Sequence, residues 1–207
     1  MAIYSQIDVA EKHQVAVWRI DESVEELLGL VDITDADKKV LDAFKLEKRK
    51  KEWLASRLLL QKLIGQYPHI VYNSNGKPQL QGDQRFISIS HTNRYAAVSV
   101  SQEPTALDIE ICSGRVDKVA NRFVHNDEQT YIKAGERTQF LTVLWCAKEA
   151  LYKYYDIYGV VFKEQFRVKP FQLGKTGKLD CTFIHEARTK ENSLTFEIND
   201  EYTLVYC

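Results

Sequence analysis

The sequence predicts an α+β protein, and three observations predict it. Residues 49–64 and 137–155 carry apolar side chains at helical spacing with no proline to interrupt them. Residues 86–100 switch to period two, the mark of paired strands. Each half of the chain then runs helices first and strands afterwards, with Glu103-Pro104 as the break between them. The 207 residues fit one large domain or two small ones of about 100 residues each. The break sets an amino-terminal lobe at 1–103 and a carboxy-terminal lobe at 104–207.

Along the first half, residues 15–20 are β-branched and aromatic and read as a strand, which Asp21-Glu22-Ser23 ends. Ser23 and Glu26 have capping-box spacing, so a short helix follows over 24–30. A second begins near Thr34 and carries Val40, Leu41, Phe44 and Leu46. The strongest helix, 49–64, sets Trp53, Leu54, Leu58, Leu60 and Leu63 at helical spacing, and Gly65 suits its C-cap. Residues 72–78 are a turn cluster. Ile87 and Ile89 then alternate with Ser88 and Ser90, residues 91–94 turn, and 95–100 form the return strand. In the second half, 106–111 reads as a strand, followed by helices over 116–123, 127–134 and 137–155. Strands near 165–168, 181–185, 194–198 and 202–206 complete the chain.

Composition narrows the function. Lys and Arg number 28 against 29 Asp and Glu, a net charge of −1, which argues against a general nucleic-acid binder. One local basic patch, residues 45–51, opens the 49–64 helix. Cys112, Cys146, Cys181 and Cys207 form no CxxC pair, which argues against a zinc knuckle or a thioredoxin-like site and predicts reduced thiols. Neither a signal-peptide pattern nor an apolar run of about 20 residues is present, so the expectation is a cytoplasmic protein with no membrane partner.

Four features carry chemistry. In Asp108-Ile109-Glu110 a strand would project both carboxylates from one face and the aliphatic neighbours into a core. Two carboxylates on one face repel unless a cation sits between them, and oxygen ligands favour Mg²⁺. On the 137–155 helix, Trp145, Glu149 and Lys153 stand at i, i+4 and i+8 and share one stripe. Glu149 and Lys153 could be a plain surface ion pair, but a Trp on the same stripe suits a partly enclosed place. Ser90 and His91 put a hydroxyl and an imidazole at a strand end, and Gly76-Lys77-Pro78 presents one cation on a rigid turn.

Taken in order, Arg49 and Arg57 on the basic helix, Gly76-Lys77-Pro78, Ser88-Ile89-Ser90-His91, Asp108-Ile109-Glu110, Arg122-Phe123 with Glu128, and Trp145-x-x-Lys148-Glu149-Ala150-x-x-Lys153 form a collinear series. It resembles the Sfp-type 4′-phosphopantetheinyl transferase superfamily over about residues 45–155. The Trp-x-x-Lys-Glu-Ala-x-x-Lys string is the most specific part. Two departures stand out: Ala106 where the family often has glycine, and His91-Thr92-Asn93 in place of His-Ser-Gly. Asn93 also tolerates turn geometry.

The resemblance implies a monomer of two similar α+β lobes related by a pseudo-two-fold axis, with coenzyme A in the cleft between them. It implies Asp108, Glu110 and Glu149 as magnesium ligands and Lys153 as a phosphate contact. Lys77, Ser90, His91 and either Lys48 or Arg49 would hold the adenosine phosphates. The expected reaction moves the 4′-phosphopantetheine arm of coenzyme A to a serine of an apo acyl, peptidyl or polyketide carrier protein, releasing 3′,5′-ADP. Glu149 is the candidate base and Lys153 the group that stabilises departing charge. Two rival expectations are a non-catalytic carrier-binding module of the same fold and another Mg²⁺-dependent phosphodiesterase. Nothing in the sequence names the carrier.

Overall fold

The computed structural model describes residues 3–186 and 188–207. The chain divides into two units, Met1–Thr105 and Ala106–Cys207. Both are α+β.

The first unit is built on an antiparallel sheet in the order β1 (Ser5–Ala10), β2 (His13–Arg19), β6 (Tyr95–Ser101), β5 (Phe86–Thr92). The β5–β6 hairpin follows from the period-two alternation, and Asn93 in its turn takes φ 45°, a conformation that Asn accepts more readily than most residues. Helix α1 (Val24–Leu28) opens with the capping box: Glu26 N–H donates to Ser23 Oγ at 3.1 Å and Ser23 N–H to a Glu26 carboxylate oxygen at 2.8 Å. Helix α2 (Asp35–Ala43) is capped by Thr34. Helix α3 (Glu47–Ile64) packs on β6 and β2, and residues 52–60 are buried without a break. Trp18, Leu54, Leu58, Leu60, Ile87 and Val98 belong to one core there, and each such aliphatic side chain contributes about 1.5–3 kcal/mol. Gly65 ends α3 at φ 80°, donating its N–H to Gln61 O. The 72–78 turn cluster proves to join a two-stranded ribbon, β3 (Ile70–Tyr72) with β4 (Pro78–Leu80).

The second unit is an antiparallel sheet in the order β7 (Leu107–Glu110), β11 (Thr203–Tyr206), β10 (Arg188–Ile198), β9 (Thr176–His185), β8 (Phe166–Val168). Helix α6 (Arg137–Tyr155) crosses it, touching β7, β11 and β8. Around α6 lie α4 (Arg115–Phe123) and two four-residue helices, α5 (Asn126–Gln129) and α7 (Phe162–Gln165). The expected helix over 127–134 stops at Gln129. The Thr130 hydroxyl bonds back to Asp127 O at 2.6 Å, a local alternative to helix propagation, and Ala134–Glu136 forms a separate 3₁₀ turn. The four cysteines are free thiols. Among the described residues no helix is long and apolar enough to cross a membrane.

Candidate active site

In the second unit, β7 buries Leu107 and Ile109 completely and carries Asp108 and Glu110 between and beyond them. Asp108 is itself buried and Glu110 partly exposed. Helix α6 packs on β7 and brings Glu149 and Lys153 to those carboxylates. Lys153 Nζ donates to Asp108 Oδ1 at 2.7 Å and to Leu107 O at 3.1 Å. The Glu149 carboxyl is pushed up to about 7, chiefly by burial, then by the Asp108 charge, with Lys153 opposing and Glu110 adding a little. Trp145 lies half-buried on the same stripe, ring against Phe123 at 5.2 Å and Phe162 at 5.9 Å. The Trp145–Glu149–Lys153 stripe therefore turns toward an enclosed place, and the Lys153 ion pair reaches across to β7.

Three carboxylates face one ammonium here. Among the described residues no group of three or more His, Cys, Asp or Glu side chains is gathered tightly enough to hold a metal as it stands. The donor set is all hard oxygen, and the Asp108 and Glu110 charges add to the burial that raises the Glu149 carboxyl. Both fit a small divalent cation.

Lys148, next to Glu149, does something else. It is fully buried, and its Nζ donates at 2.6 Å both to Glu128 Oε2 and to Phe123 O. Glu128 also accepts from the backbone N–H groups of His125 and Val168. Lys148 thereby ties α6 to α5 and β8 from inside the core.

In the first unit, Arg49, Glu52, Trp53, Ser56, Arg57, Tyr72 and His91 line a recess, closed at the ribbon end by Gly76 and Pro78. His91 arrives from the end of β5 and Arg49 from the first turn of α3. Arg49 Nη1 donates to His91 Nε2 at 2.6 Å and to Glu52 Oε2 at 2.9 Å. His91 Nδ1 stands 3.3 Å from Glu52 Oε2. That network fits the imidazole tautomer with its proton on Nδ1. Lys48 is the more exposed of the two adjacent bases and stands 3.5 Å from Glu52. Lys77 falls between Gly76 and Pro78. Ser90 is buried on β5 and lies outside the recess lining.

Glu52 and Tyr72 were not singled out by sequence, and Arg57 entered only as a basic residue of the collinear series. Arg57 is buried, its guanidinium 3.3 Å from the centre of the Trp53 ring, and its Nε has no hydrogen-bond partner among the described residues. Burial pulls its pKa down, with Tyr72 opposing. The helical offsets of Glu52 from Lys48 and Arg49, four and three residues, were the signal available for Glu52.

Residues 104–207 match the model of the 4′-phosphopantetheinyl transferase superfamily, the half of the chain that holds the acidic cluster. The chain belongs to that superfamily. It is 30% identical over 112 residues to the 4′-phosphopantetheinyl transferase AcpT of Salmonella typhimurium, covering 51% of this chain and 58% of that protein. The AcpT of Salmonella typhi matches to the same extent. The 4′-phosphopantetheinyl transferase gsp of Aneurinibacillus migulanus is 29% identical over 107 residues, covering 49% of this chain and 45% of that protein. The chain thus spans about half the length of the curated relatives it matches.

Proposed function

We propose that this protein transfers the 4′-phosphopantetheine arm of coenzyme A to a serine of an apo carrier protein, releasing 3′,5′-ADP. The observation that carries this reading is the meeting of Asp108, Glu110, Glu149 and Lys153 in the second unit, within the segment that matches the superfamily. Asp108, Glu110 and Glu149 would hold Mg²⁺, which neutralises and orients a bound pyrophosphate. Lys153, already an ion-pair donor at that spot, stabilises charge on the departing phosphate. Glu149 takes the proton of the attacking serine, directly or through one water. A Mg²⁺ beside it would offset the burial that raises its carboxyl and keep it ionised, the form a base needs.

The recess of the first unit serves the adenosine phosphates of the same coenzyme A. Its cations, Arg49 and Arg57, outnumber its one acid, Glu52. Of the two candidate bases we favour Arg49 over Lys48, because Arg49 lines the recess and bonds His91. Lys77 and Ser90 keep the supporting roles that the resemblance gives them. In keeping with the family pattern, the two units act as pseudo-two-fold-related lobes of a cytoplasmic monomer.

The test is to incubate the protein with coenzyme A, Mg²⁺ and a panel of apo-carriers, and weigh the carriers intact. At least one should gain one phosphopantetheine arm, and chelating the metal should stop the gain. If no carrier gains mass, the host's own included, the proposal is wrong. Cleavage of a simple phosphodiester without any carrier would point to a different phosphotransfer enzyme. Glu149→Gln should lower turnover on the order of 10²- to 10⁴-fold, and full turnover in that variant removes Glu149 from the base role.

A further inference from the structure

Glu52 is a carboxylate in the wrong kind of place for a bland role. It begins the unbroken buried run of α3, and it is 3% exposed. A buried carboxylate is costly unless its lone pairs are taken up by donors or cations. Here the compensation comes from two bases that line the recess, Arg49 at 2.9 Å and His91 Nδ1 at 3.3 Å, and from Lys48 beside it at 3.5 Å. Arg49 and Lys48 come from the preceding helical turn and His91 from β5, so one side chain gathers groups from two elements. The Arg49 side chain is 47% exposed and that of Lys48 60%. Left alone, such long side chains sample many rotamers, and ordering them on a ligand costs free energy.

We infer that Glu52 is a positioning residue of the recess: it holds Arg49 directly and fixes the imidazole of His91, which accepts from the same guanidinium, so that Arg49 faces the 3′-phosphate monoester of the bound nucleotide. The inference rests on the reading of the recess as the seat of the adenosine phosphates. With Nδ1 engaged by Glu52, the Nε2 edge of His91 is the edge directed at Arg49. A carboxylate behind an imidazole fixes its tautomer and ring orientation, as it does for ligating histidines. Glu52 itself touches no ligand in this role.

A positioning Glu52 and a purely electrostatic one have effects of opposite sign. A negative charge beside an anion site repels the anion, so a Glu52 that acted only through its charge would weaken binding. Removing it would then tighten the nucleotide. A Glu52 that positions Arg49 and His91 gives the opposite result.

The probes are 3′,5′-ADP and 5′-AMP, which differ by one phosphate monoester, with affinity read by calorimetry on the intact protein. Neither measurement needs a carrier protein or turnover. Wild type should prefer 3′,5′-ADP. Glu52→Ala should weaken 3′,5′-ADP about tenfold, the loss of well-aligned charged hydrogen bonds, and leave 5′-AMP unchanged. Glu52→Gln keeps one acceptor oxygen and should fall between. If Glu52→Ala unfolds the chain in a thermal melt, Glu52→Asp, which keeps the charge but withdraws it by one methylene, should show the same selective loss. Unchanged or tighter 3′,5′-ADP binding in the folded variants overturns the inference. An equal loss for both nucleotides also overturns it, because that is the mark of a merely structural role. A wild-type protein that binds neither nucleotide removes the reading of the recess, and the inference with it. Wild-type binding with unaffected variants rejects Glu52 alone.

Discussion

Lys148 and Lys153 stand on the same helix five residues apart, and the structure gives them opposite environments. Lys148 is fully buried against Glu128, whereas Lys153 is partly exposed beside Asp108. Removing one member of a buried pair strands the other charge, at about 3–5 kcal/mol. Lys148→Met should therefore lower stability by about that amount, measured by urea unfolding. Adding Glu128→Gln should restore part of the loss, because the stranded carboxylate is then gone. Lys153→Met should lose transfer and a smaller part of the stability, because its partner Asp108 is buried but Lys153 itself is partly exposed. A Lys148→Met protein as stable as wild type would show that the pair contributes little. The Trp145–Glu149–Lys153 stripe was legible from helical period alone. The partner of Lys148 was not, because Glu128 lies 20 residues away on another helix. Glu52 was hidden for a different reason. It follows the charged run 45–51, which reads as a solvated helix start, and only the packing of α3 on the sheet reveals that burial begins there.

Whether an element could be read from sequence depended on length and on the source of its order. Helices α3 and α6 repeat their apolar pattern over four or more turns, so their pattern outweighs local ambiguity. The β5–β6 hairpin declares itself by alternation. Strand β1 is polar at alternate positions with only Ile7 and Val9 as large apolar residues, and β3 and β4 have three residues each. Their order comes from their pairing partners, which composition does not reveal. Strand β10 was longer than its apolar segment because β9 holds residues 188–193 in register. Gly177 on β9 exposes the packing between those strands. It pairs with Phe196, and a Cβ at 177 would lie 2.5 Å from the Phe196 ring. The ring is fully buried and tilted on Phe171 at 5.8 Å, so it has little room to yield. Gly177→Ala should cost about 1–3 kcal/mol as an overpacked core, seen as a lower melting temperature. At Gly65 the reason is backbone conformation, since nothing lies within 4 Å of a Cβ there but φ is +80°. Gly65→Ala should cost about 1–2 kcal/mol through the left-handed penalty alone. Equal stability of either alanine variant and wild type would contradict the cause assigned to it.

At the scale of the whole molecule, the two units should differ in how they answer to alkali. Four tyrosines have phenols that burial raises above their ordinary range: Tyr67 in the first unit, and Tyr131, Tyr155 and Tyr206 in the second. Each donates its hydroxyl: Tyr67 to Asp37, Tyr131 to Val168 O, Tyr155 to Asn192 and Tyr206 to Glu197. In the unfolded chain these phenols lose their protons near pH 10. In the folded chain they still hold them there, so above about pH 10 the folded state binds more protons and stability falls as pH rises. The stabilisation is fully present below that pH and is lost progressively toward the folded-state values. Three of the four phenols belong to residues 106–207, so the second unit should lose stability more steeply than the first. Trp145 reports on the second unit, and Trp18 and Trp53 on the first. With Trp18 and Trp53 replaced by Phe in one protein and Trp145 in another, urea midpoints by fluorescence at about pH 8 and about pH 11 should separate. The Trp145 signal should fall further. Tyr131→Phe removes one of the three phenols and should flatten the alkaline slope of the second unit, at the cost of the Val168 hydrogen bond at neutral pH. Parallel falls in the two signals, or a slope untouched by Tyr131→Phe, would mean that these buried phenols do not govern alkaline stability.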